Sequence, residues 1–121
     1  AVLFKNSTPR KAFDHALEKG NILVSLDVVG ELNDVLGREK FDKYLREEER
    51  IDFLVTLLQE AFFVEIIETV SECRDQRDDK FLELALNGKA QCIVSGDNDL
   101  LVLHPFRGIA ILTPREFLET V

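Results

Sequence analysis

Apolar positions along this chain fall into two alternating patterns. In one they recur every three or four residues, the period of a helix with one buried face. In the other a few stand consecutively, as in a short strand covered on both sides. The first helical stretch opens at Asn6-Ser7-Thr8-Pro9, where Thr8 can cap and Pro9 suits the first helical position. Ala12, Phe13, Ala16 and Leu17 form its apolar face, and Lys19-Gly20 ends it. Ile22-Leu23-Val24 reads as a buried parallel strand. From Ser25 to Gly37 the helical period returns, with Val28, Val29, Leu32, Val35 and Leu36 on one stripe. Arg38 to Leu45 reads as a short helix or turn. Glu47-Glu48-Glu49 then places acids where a helix N-terminus favours them. Ile51, Leu54, Val55, Leu58, Ala61 and Phe62 continue that helix's apolar face.

Val64 to Ile67 is the second predicted strand. The next helix runs from Asp78-Asp79 to Asn87, with Phe81, Leu82 and Ala85 turned inward and Asn87-Gly88 as its stop. Cys92-Ile93-Val94 reads as a strand with Ser95-Gly96 as its exit turn. Asp99 is expected to cap a short helix, Leu100 to Leu103, which Pro105 breaks. Ile109 to Leu112 is another strand, and Thr113-Pro114 opens the last helix by the device seen at Thr8-Pro9. Helices alternating with short β-branched runs predict an α/β sandwich around a mostly parallel sheet.

The totals narrow the class. At 121 residues the chain is expected to form one domain with a core of its own. Apolar residues make up 45% and charged residues 31%, the balance of a soluble globular protein. The formal net charge of −8 argues against a basic nucleic-acid binder, though not against an enzyme that meets phosphate through bound cations. Cys73 and Cys92 form no CxxC, and His15 and His104 lack ligand-like spacing to them, so zinc is not expected. Free thiols, with neither a signal peptide nor a membrane-length apolar run, imply a cytoplasmic protein.

Candidate chemistry concentrates between Cys73 and Leu101, where Asp75, Asp78, Asp79, Asp97 and Asp99 lie. In an open parallel sheet, sites form outside the carboxyl ends of the strands. Asp97 stands just past such an end. Asp78 and Asp79 start the preceding helix, and Glu31 sits at the edge of the apolar stripe on the helix after the Ile22-Val24 strand. These acids can converge at one sheet edge. Clustered carboxylates repel unless protons or cations compensate them. Oxygen donors suit Mg²⁺ or Mn²⁺, and such an ion supports phosphate-ester hydrolysis. Plainer roles compete: a solvated rim for Glu31, helix-start caps for Asp75, Asp78 and Asp99, an Asx-turn for Asp97. Lys80 and Arg77 stand where phosphate contact is conceivable, but a solvated charge at a helix start is the preferred role for both.

DDKFLELAL and, after it, IVSGDNDLL, closing with ILTPREFL and preceded by VVGELNDVLGREKF, closely resemble PIN-domain proteins. More narrowly, the chain resembles the group of toxin components of toxin–antitoxin systems. The resemblance runs in order over essentially all of residues 1–121, as a single PIN-like domain. It implies a PIN-like α/β/α sandwich and a metal-dependent ribonuclease that hydrolyses single-stranded RNA with Mg²⁺ or Mn²⁺. A homodimer and a cognate antitoxin are implied as well. By position, Glu31, Asp79 and Asp97 match the family's second, third and fourth acids, which act in catalysis and hold metal. Asp99 matches a further acid beside the fourth, and Asp78 is a close alternative to Asp79, since a one-residue shift swaps them. The family opens with an apolar strand ending in an Asp motif, whereas AVLFKNS resembles the segment immediately after that motif. The first strand and its aspartate are therefore expected to be absent from this chain, leaving the domain N-terminally incomplete. The alternative is a catalytically inactive PIN-like interaction module. A phosphoacceptor-receiver reading is weaker, because no strand-end lysine stands after Ile93-Val94 or Ile109-Leu112.

Overall fold

The structure is a computed structural model that describes residues 8–38 and 47–120. Helix α1 (Thr8–Lys19) leads to strand β1 (Leu23–Val24) and helix α2 (Leu26–Leu36). Helix α3 (Glu47–Glu60) runs into β2 (Phe62–Phe63). A 3-10 turn (Gln76–Asp78) precedes α4 (Asp79–Asn87), β3 (Cys92–Val94), α5 (Asn98–Leu101), β4 (Ala110–Leu112) and α6 (Pro114–Glu119). The fold is mixed α/β with parallel strand pairs, as the alternating pattern predicts. β1 pairs with β2, Leu23 opposite Phe62, and β3 pairs with β4, Cys92 opposite Ala110. The helix or turn expected between Arg38 and Leu45 lies, past Arg38 itself, outside the described residues.

Local chemistry explains most element ends. Ser25 caps α2 by accepting from the Val28 amide at 3.3 Å. Thr113 and Glu116 form a reciprocal capping box on α6, with Pro114 in the first turn. Arg107 and Gly108, both at positive φ, turn the chain between Phe106 and Ile109 in the manner of a type I′ hairpin.

The core centres on α4. Leu82 is completely buried there, packed with Val70, Cys73, Ala85, Leu100, Phe106, Ile109 and Ile111. Gly88, just past α4, brings that helix against the first strand pair. A Cβ at this position would stand 2.6 Å from Leu23 Cδ1 and 3.1 Å from Val64 Cγ2, so only glycine permits the approach. One helix therefore touches both parallel pairs and fixes what its N-terminus presents.

The expected strand at Val64–Ile67 is corrected to Phe62–Phe63. Phe62 and Val64 amides donate to Ile22 and Val24 carbonyls, each at 2.8 Å, and β1 offers no further partners. Beyond Val64 five amides go to side chains on α4 instead. Asn87 Oδ1 accepts from Ile67 and Glu68, Glu83 Oε2 from Val70, and Asp79 Oδ1 from Glu72 and Cys73. Asp79, Glu83 and Asn87 are spaced four apart, so they line one face of the helix. That polar ladder holds residues 67–73 as an extended strap where a strand would need a ladder of its own. The α3 stripe is also less buried than its period implies: Leu57 is buried, whereas Ile51, Val55 and Leu58 are exposed.

Candidate functional site

The N-terminus of α4 assembles the acids. Asp75 caps the 3-10 turn, accepting from the Arg77 amide at 3.0 Å. In such a turn, residues three apart eclipse one another, which brings Asp75 and Asp78 side by side. Asp78 is the residue just before α4, yet its side chain makes no capping bond. Ligand oxygens of Asp75, Asp78 and Asp99 all lie within 4.8 Å of one another. Asp97 stands near enough for its charge to act on Asp78.

Asp97 and Asp99 reach this place through the exit of β3. Ser95 Oγ accepts from the Asp97 amide at 3.0 Å, and Asp97 Oδ1 accepts from the Asp99 amide at 2.9 Å. Asp97, not Asp99, is thus the cap of α5, and α5 begins at Asn98, ahead of the expected Leu100. The shift comes from the Ser-Gly turn: it aims the Asp97 carboxylate at the amide two residues on, the Asx geometry. Asp99 is freed to point at the acidic cluster.

Asp78 is the electrostatic focus. Its carboxyl is pushed up to about 6, first by desolvation, then by the hydrogen bond and charge of Asp97, then by the charges of Asp75 and Glu31. Asp75 moves the other way. The Arg77 guanidinium grips it through Nε and Nη2 at 3.1 and 2.9 Å and holds it below the usual carboxylate range. Glu31, on α2, accepts from Lys80 Nζ at 2.9 Å in a half-buried pair that ties α2 to α4. Asp99 accepts from Arg74 Nη2 at 2.6 Å.

Of the residues matched by position, Asp99 belongs to this cluster, and Glu31 and Asp97 border it. Asp79 does not: it is 8% exposed, with Oδ1 accepting two amides of the strap at 3.2 and 2.8 Å. One residue along a helix is a rotation of about 100°, which takes Asp79 onto the strap face and leaves Asp78 toward Asp97. The alternative assignment, Asp78, is the one whose carboxylate joins the cluster. Sequence reasoning does not bring Asp75 into the site; its three-residue spacing from Asp78 is the signal that could have done so.

The donor set is carboxylate oxygen throughout. That suits a hard divalent cation, and such an ion would offset the neighbouring negative charges that add to the desolvation raising Asp78. Cys73 does not join it: burial raises its thiol pKa, and Sγ donates to the Asp99 carbonyl.

Comparison with known proteins agrees with this architecture. A PIN domain family profile matches residues 1–99, and the chain belongs to that family. PIN domains are generally nucleases that bind divalent metals. The chain is similar to the uncharacterized protein MJ1680 of Methanocaldococcus jannaschii, 29% identical over 129 residues that cover 98% of this chain and 83% of that protein. No solved structure shows a significant match. Among the described residues no helix is long and apolar enough to cross a membrane.

Proposed function

We propose that this chain is a Mg²⁺- or Mn²⁺-dependent endoribonuclease that hydrolyses phosphodiesters of single-stranded RNA. The observation that carries the reading is the convergence of Asp75, Asp78 and Asp99 oxygens within 4.8 Å, with Asp97 against Asp78, in a PIN-family chain. Asp78 and Asp97 are the central ligands in this reading, joined by Asp75 and Asp99, with Glu31 at the margin. Asp79 acts by holding the strap. A bound divalent ion would lower the pKa of a water and stabilise charge on the phosphate. The protein's own part is to fix the carboxylates before the ion arrives: Asp97 through its Asx turn, Asp78 and Asp75 through the 3-10 turn. Toxin activity opposed by a cognate antitoxin, homodimerisation and a cytoplasmic setting complete the proposal and rest on the family resemblance.

A second reading is a catalytically inactive interaction module. It is favoured by the ion pairs that already counter Asp99, Asp75 and Glu31. Cleavage of labelled single-stranded RNA in Mn²⁺ decides between them. The nuclease reading expects cleavage that chelation stops and Asp97→Asn lowers by at least about a hundredfold, as for loss of a charged group central to catalysis. Cleavage untouched by Asp97→Asn would sink the site assignment. No cleavage and no Mn²⁺ binding by the parent protein would leave the interaction module.

A further inference from the structure

Three basic side chains ring the acidic cluster, and all come from one short segment at positions 74, 77 and 80. Arg74 reaches Asp99, Arg77 holds Asp75 with two guanidinium nitrogens, and Lys80 reaches Glu31. Arg77 lies in the 3-10 turn and Lys80 in the first turn of α4, with Arg74 in the bend just ahead of them. Arg74 and Arg77 are 70% and 84% exposed. Pairs that exposed add little to stability, so holding the fold together does not account for them.

A net charge of −8 makes the opposite demand. A polyanionic strand nearing such a protein is repelled unless cations at the site itself attract it. Other basic residues pair elsewhere: Arg10 with Asp14 and Arg115 with Glu119, each one turn along its own helix. The cations of 74–80 stand against the carboxylates themselves. A guanidinium fork that fits carboxylate also fits phosphate, and a lysine ammonium serves as a point charge for either.

We propose that Arg74, Arg77 and Lys80 are the phosphate-gripping residues of this site. They counter Asp99, Asp75 and Glu31 in the metal-free protein, and turn to the backbone phosphates of single-stranded RNA when a divalent cation takes over those carboxylates. The proposal rests on the nuclease reading. It makes the same side chains competitors of the metal and partners of the substrate, so their removal has opposite effects on the two ligands.

The test measures both bindings separately from cleavage. Mn²⁺ affinity is read by calorimetry, and RNA affinity by anisotropy of a labelled phosphorothioate oligouridylate in the presence of Mn²⁺. Arg74→Gln and Arg77→Gln, both at exposed positions, should each bind Mn²⁺ roughly fivefold tighter, the effect in water of a unit charge about 8 Å from a divalent ion. Each should bind the oligonucleotide more weakly, with the slope of log affinity against log salt flattened by about 0.7 per cation removed. Lys80→Gln should show the same pattern, and Lys80→Arg should restore oligonucleotide binding. Variants with tighter Mn²⁺ binding but unchanged oligonucleotide affinity and salt slope would overturn the proposal, leaving the three residues as counter-charges. A parent protein that binds no Mn²⁺ would overturn the nuclease reading itself.

Discussion

Asp78 and Asp79 are adjacent, identical and differently employed. Asp79 receives two strap amides, so Asp79→Ala leaves both donors without their acceptor. A loss of about 2–3 kcal/mol in urea unfolding is expected, within the range for hydrogen bonds to a charged group. Asp79→Asn, which keeps a carbonyl oxygen, should recover part of it. Asp78 faces other acids, and its substitution should act in the opposite direction. Asp78→Asn is expected to raise the metal-free protein's stability near neutral pH by up to about 1 kcal/mol, a linkage value discounted for partial exposure. The sign comes from the raised carboxyl: the fold favours its protonated form, so that contribution is present at low pH and is lost as pH rises through about 6. The same variant should weaken Mn²⁺ binding in calorimetry. A stabilised protein that loses its ligand is the mark of a site residue; a destabilised one would put Asp78 with Asp79 among the structural acids.

At the scale of the element, α4 is the piece on which site and core depend together. Its buried face carries Leu82, Ala85 and the packing of both strand pairs; its polar ladder carries the strap; its N-terminus carries the cluster. Much of this is legible from residue spacing: the apolar period, the Asn87-Gly88 stop and the Thr113-Pro114 start all correspond to element ends. The strap is not legible, because Val64–Ile67 has a strand's composition and only the neighbouring helix supplies other acceptors for its amides. The capping box of α6 offers a test of local chemistry. The amide and hydroxyl of Thr113 hold the Glu116 carboxyl below its ordinary 4.5. A depressed folded pKa contributes stability above the ordinary value and loses it as pH falls through the folded one. The stability gap between the parent and Glu116→Gln in urea unfolding should therefore be present at pH 7 and close in acid.

For the whole molecule, the consequential feature is that part of a net charge of −8 is gathered in one site. A cation that binds the folded cluster and not the unfolded chain stabilises the fold by mass action, by about 2.7 kcal/mol at a hundredfold excess over its dissociation constant. Mn²⁺ should accordingly raise the thermal unfolding midpoint, and chelation should reverse the rise. An unchanged midpoint at saturating Mn²⁺ would mean that the acids do not form a metal centre in the native state.

The sequence by itself determined the alternation of helices and short apolar strands, the PIN resemblance, and the stretch in which the acids concentrate. Those are properties of local order: period, caps and residue type survive without knowing what packs on what. Only the tertiary structure decided which acids share a place. Whether a carboxylate meets an amide, an arginine or another carboxylate depends on the rotation of α4 against its strap and on where the turn after β3 ends. A one-residue step along a helix therefore separates Asp78, in the cluster, from Asp79, which holds the strap, whereas the sequence alone favoured Asp79 for the site and kept Asp78 as the alternative.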